Sequence, residues 1–97
     1  MDELRAKLNS ETAPMAWSSL ARFFARGDTL HVVTGVSLLD VAVAFAEDRS
    51  ERVEQWMANG EVTPVSDETA RAWLGRDAEV WTVVVRPWIL VQDMVEE

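Results

Sequence analysis

Reactive side chains are few and scattered along this chain. His31 is the only histidine, and cysteine and tyrosine are both absent. A lone strand imidazole more often meets solvent or a hydrogen-bond partner than a metal, because no second histidine or thiolate exists to share the ion. Serine, histidine and aspartate all occur, but a nucleophilic triad assembles in space, so their spacing along the chain is uninformative. There is no glycine-rich phosphate loop, no Gly-x-Ser-x-Gly elbow and no His-Glu-x-x-His run. Two acidic pairs, Glu47-Asp48 and Asp67-Glu68, could hold a divalent cation weakly. Both stand at expected helix boundaries, where capping and the helix dipole account for them. The residues therefore predict no catalytic group, no cofactor and no metal ligand.

Cations and tryptophans carry more information. Arg22 and Arg26 lie one turn apart near the end of an expected helix, where they complement its dipole. If the chain bound nucleic acid, Arg49 and Arg52 would meet the phosphates. Between Asp48 and Asn59 these two bases face three acids, Asp48, Glu51 and Glu54. Two phosphate contacts would give a log–log salt slope of only about −2. The whole chain has 17 acids against 9 bases, a net charge of −8, which repels polyanions and anionic membranes at long range. Nucleic acid is disfavoured as a partner unless a dimer pools arginines from two chains. The five tryptophans are each better explained as core, yet a partly exposed tryptophan is also what interface hot spots are made of. Trp88 is the first candidate contact residue and Trp56 the second, with Arg86 beside them.

The elements that must position these residues follow from periodicity. Val80–Gln92 is rich in β-branched and aromatic residues and apolar on both alternating faces, the pattern of a strand covered on both sides. Arg86-Pro87 interrupts it. Proline cannot adopt the positive φ of the usual two-residue hairpin turns, so the expectation is one long, kinked interior strand. Were its edge free, two copies could pair there, and a homodimer is the favoured assembly. Before it, Leu4 and Leu8 mark a short helix capped by Asp2 and ending before Pro14. A second helix, capped by Ser18, buries Leu20, Phe23 and Phe24 and stops at Gly27. Thr29–Thr34 reads as a strand. Ser37 caps Leu38–Ala46, which is apolar nearly all round and hence central. After Glu47-Asp48-Arg49, Ser50 or Asp48 caps a helix with the stripe Val53, Trp56 and Met57, which ends at Asn59-Gly60. Glu61–Val65 is a strand whose Pro64 places it at an edge. Ser66 caps a helix that turns Ala70, Trp73 and Leu74 inward and ends at Gly75.

These elements make one α+β domain over residues 1–92, with a small three-stranded sheet, about five helices and a frayed acidic tail at 93–97. Met1–Glu11 is charged rather than a cationic-then-apolar leader, and Val80–Gln92 is too short to cross a bilayer, so a cytoplasmic location without membrane attachment is expected. The run Val41–Val62 resembles the core of a winged helix-turn-helix, with a helix at 66–74 in place of the flexible wing. Longer pieces resemble the bacterial family known as domain of unknown function 2288. They are Leu4-Arg-Ala-Lys-Leu-Asn-Ser-Glu-Thr-Ala, Phe23-Phe-Ala-Arg-Gly, Val53-Glu-Gln-Trp-Met-Ala-Asn-Gly, Ser66-Asp-Glu-Thr-Ala-Arg-Ala-Trp-Leu and Val83-Val-Val-Arg-Pro-Trp-Ile-Leu-Val-Gln. That resemblance implies a bacterial cytosolic protein and brings no activity, cofactor or catalytic residue with it. The functional expectation is a non-catalytic protein-interaction or self-association module. A nucleic-acid-binding regulator and a small-ligand or metal-binding protein are the alternatives.

Overall fold

A computed structural model describes residues 3–94. Five helices alternate with five strands: α1 (Glu3–Glu11), β1 (Ala13–Ala16), α2 (Trp17–Ala25), β2 (Thr29–Val32), α3 (Leu38–Ala46), α4 (Ser50–Ala58), β3 (Val62–Pro64), α5 (Asp67–Gly75), β4 (Glu79–Val85) and β5 (Trp88–Asp93). The strands form one mixed sheet in the order β1-β4-β5-β2-β3. Only the β5–β2 pairing is parallel.

The doubly apolar character of residues 80–92 has a direct structural cause. Side chains alternate across a strand, and helices cover both faces of this sheet. Leu90, Val83, Leu30, Val32 and Val62 pack with α1, α3 and α4 in one cluster. Ile89, Val91 and Val80 pack with Trp17 and Leu20 of α2 and Trp73 of α5 in the other. Each fully buried aliphatic side chain contributes roughly 1.5–3 kcal/mol of transfer free energy, so β5, buried on both faces, anchors both clusters.

The run at 80–92 is nevertheless two strands rather than one. Val85 pairs with Trp88, and the Arg86-Pro87 peptide between them is cis. A cis proline at the third position forms a type VI turn, which needs no positive φ, so the objection to a tight hairpin does not apply here. With β1 added, the sheet has five strands where three were expected. The elements α2, β2, α3, α4 and β3 follow in the expected order, with β2 and β3 paired antiparallel. β1 was missed because Ala-Pro-Met-Ala has no β-branched residue to announce a strand. β5 is paired on both sides, and β1 occupies the outer side of β4 along Glu79–Thr82, so the run 80–92 offers no full-length edge to a second copy. The outer strands β1 and β3 each carry a proline, Pro14 and Pro64, at the place where a missing ladder donor is tolerated.

Local signals set the helix boundaries. Ser37 accepts a hydrogen bond from the Asp40 amide at 3.1 Å and Ser66 one from the Thr69 amide at 3.0 Å, so both expected caps form. Ser18 does not cap α2, whose cap lies two residues earlier at Ala16. Neither Asp48 nor Ser50 caps α4; Arg49 holds that position without a side-chain bond. The expected Asp2 cap of α1 lies outside the described residues. All four of α2 to α5 end in the same double hydrogen bond. In α5, for example, the Asp77 amide donates to Leu74 O at 3.2 Å and the Ala78 amide to Trp73 O at 2.9 Å. This Schellman geometry needs one left-handed residue. Gly27 and Gly60 supply it after α2 and α4, but Asp48 (φ 60°) and Asp77 (φ 53°) supply it after α3 and α5. Gly75, the expected stop of α5, lies inside the helix instead. Because a left-handed side chain costs energy that glycine avoids, Asp77→Gly is expected to stabilise the fold by up to about 1 kcal/mol. Gly27→Ala should destabilise it by a similar amount. Urea midpoints of both variants provide the check, and a loss on Asp77→Gly would contradict the assignment.

Three inward assignments do not hold. Trp81, read as core, is 38% exposed on β4. Met57 is 41% exposed and Leu74 is 57% exposed, because the sheet offers each helix a stripe narrower than its apolar residues could fill. At the far end, β5 runs on through Asp93, which accepts from Trp73 Nε1 at 3.2 Å and pairs with Arg76 at 2.7 Å. Asp93 thus belongs to the body of the domain, and residues 95–97 of the expected tail lie outside the described part.

Candidate functional site

The tight β4–β5 turn projects Arg86 and Pro87 beside the corner that joins α3 to α4. Between them lies a groove of about 360 Å³. Phe45, Val53, Val85 and Trp88 give it an apolar lining, and Asp48, Arg49, Glu54 and Arg86 give it charge of both signs. A neighbouring groove of about 310 Å³ shares Ala44 and Arg49 with the first and adds Arg5 and Arg52. Four of the chain's nine bases thus gather around this corner.

The sequence expectations named most of these residues separately. Arg49, Arg86 and Trp88 are brought together in the first groove, with Trp88 half-buried against the core and Arg86 fully at the surface. Trp56 is not part of it: it is buried in the core, with the Arg52 guanidinium lying over its ring at 4.9 Å from the centroid. Asp48 and Glu54 enter the sequence reading as acids that oppose nucleic-acid binding, and both line the groove. Their contribution was visible only once the hairpin turn was placed. Arg49 pairs with Glu47 at 2.8 Å, and Arg5 pairs with Asp40 at 2.7 Å. Asp48, Glu54 and Arg86 make no ion pair among the described residues. A small apolar hollow with unmatched charge at its margin suits side chains of another molecule.

His31 lies on the opposite face, half-buried on β2, with its ring edge-on to Trp73 at a centroid distance of 5.1 Å. Burial pushes its pKa below the ordinary histidine value, against a smaller opposing pull from the Asp93 carboxylate. The folded chain therefore binds this proton less readily than the unfolded chain does. The sign follows: the contribution to stability is present above the ordinary value of about 6.5 and falls as pH drops through it toward the lower folded value. Wild-type protein should lose more stability than His31→Gln between pH 7.5 and 5, measured by denaturant unfolding. Asp93 and Arg76, common to both proteins, cancel in that comparison, and parallel curves would refute the assignment.

Among the described residues, no group of three or more histidine, aspartate or glutamate side chains is placed to hold a metal ion. No helix among them is long and apolar enough to cross a membrane. The chain is similar to one solved structure, the NMR solution structure of PA1075 from Pseudomonas aeruginosa, at 41% identity and a TM-score of 0.86. The match covers 99% of this chain and 89% of that one. No match was found among curated proteins. A family model described as a protein of unknown function, DUF2288, matches residues 3–93. The motifs spread from Leu4 to Gln92 and the sheet they build thus have one source: the chain belongs to the DUF2288 family.

Proposed function

We propose that this chain is a non-catalytic cytoplasmic interaction module that makes contact through the groove between the Arg86-Pro87 turn and the α3–α4 corner. One observation carries the reading. Arg86, half-buried Trp88 and the unmatched carboxylates of Asp48 and Glu54 converge on one apolar hollow, the mixture of aromatic anchor and arginine that concentrates binding energy at protein contacts. A catalytic alternative gains nothing from the geometry, since the one imidazole lies across the sheet from the groove. The nucleic-acid alternative gains little, because Arg49 is already neutralised by Glu47 and Arg52 is stacked on Trp56.

The test is a photo-crosslinking amino acid introduced in cells at position 86, with position 68 on exposed α5 as the control. Discrete crosslinked products are expected at 86 and not at 68. Equal or absent labelling at the two positions would sink the proposal.

A further inference from the structure

The geometry points to a second copy of this chain as the occupant of the groove, in a two-fold dimer where Arg86 of each copy meets Glu54 of the other. This rests on reading the groove as a contact surface. A two-fold interface uses the same patch twice, so the patch must be complementary to itself. Here a projecting turn stands beside a hollow of about 360 Å³, so the turn of one copy can seat in the hollow of its mate and receive the mate's turn in return.

Charge supports the same occupant. The lining carries Arg49 and Arg86 against Asp48 and Glu54, a balanced set within a protein of net charge −8. Two copies approaching by this face meet no net like-charge repulsion from the lining, although the chain as a whole is acidic. Arg86 shares the groove with Asp48 and Glu54 but pairs with neither among the described residues. A rotation that places each copy's arginine on the other's carboxylate matches both signs at once. A purely acidic or purely basic partner would leave half of these charges opposed to their like. The outer strands of the sheet are blunted as competing surfaces, since each carries a proline.

Sedimentation equilibrium over micromolar to millimolar concentrations should show wild-type mass rising from 10.9 kDa toward twice that value. Arg86→Glu and Glu54→Arg each set like charges against each other twice, and each should weaken self-association by about tenfold or more. Mixed together, the two variants restore both pairs, so a heterodimer should form from two chains that do not dimerise alone. Both positions are at the surface, and unchanged thermal midpoints of the monomers confirm folding. Wild-type protein that stays monomeric at millimolar concentration overturns the second copy. So does a dimer indifferent to both charge reversals. A crosslink from position 86 to a different protein, with monomeric wild type, overturns this inference but leaves the contact surface standing. Silence at position 86 together with a monomer removes both.

Discussion

Replacing Trp73 with alanine is expected to destabilise the fold by about 3–5 kcal/mol, the range for removing a large buried aromatic side chain. Trp73 is only 2% exposed, and its ring meets Trp17 edge-on at 5.1 Å and His31 at the same distance. Its indole also donates to Asp93, fastening α5 to the end of β5. Alanine therefore leaves a cavity where α5 and α2 meet the sheet and removes one donor from a carboxylate that keeps Arg76. Trp73→Phe separates the two effects: it restores most of the volume and loses the hydrogen bond, worth about 1.5–3 kcal/mol next to a charged acceptor. A domain of this size has about 5–15 kcal/mol in total, so the alanine variant should unfold at markedly lower urea and the phenylalanine variant at an intermediate concentration. Equal losses would mean that the indole bond, and not packing, holds this layer.

Leu90→Ala is the second large expected loss, about 2–5 kcal/mol, and its informative partner is Val84→Ala. Both residues lie on the same hairpin, six positions apart in sequence and one strand apart in the sheet. Leu90 has no exposed surface, while Val84 is 49% exposed. Hydropathy treats the two alike; burial separates them. Val84→Ala should fall below about 1 kcal/mol. Equal costs in chemical denaturation would contradict the placement of β5 between two helical layers.

What could be read from the residues, and what could not, divides along the same line. The two-faced apolar pattern of 80–92 correctly implied cover from both sides, because alternation is a local property of any strand. Ser37 and Ser66 announced their helices because a cap is a contact between residues three apart. The Arg86-Pro87 turn is not legible because the pairing of Val85 with Trp88 joins two apolar runs that read as one strand. Met57 and Leu74 were misassigned because a helix stripe shows which residues are apolar but not how wide a surface awaits them. The candidate site was half legible. Arg86 and Trp88 stand out in the sequence as an interruption and an aromatic, and Arg49 as a phosphate contact of the nucleic-acid alternative. Their meeting with Glu54 depends on the folding-back of the chain at two turns 38 residues apart, which no short-range spacing encodes.

The strand β1 has a protective consequence. It lies along the outer side of Glu79–Thr82 with Pro14 opposite Trp81, covering the first half of a valine-rich ribbon that would otherwise template fibrillar stacking of neighbouring molecules. Proline makes this guard strand a poor template in its turn, since it offers one fewer N–H to an incoming chain. Peeling away Ala13–Ala16 would therefore expose the stickiest segment of the protein to its neighbours, and precipitation rather than a smaller folded remnant is the fate to expect of a chain shortened past that point.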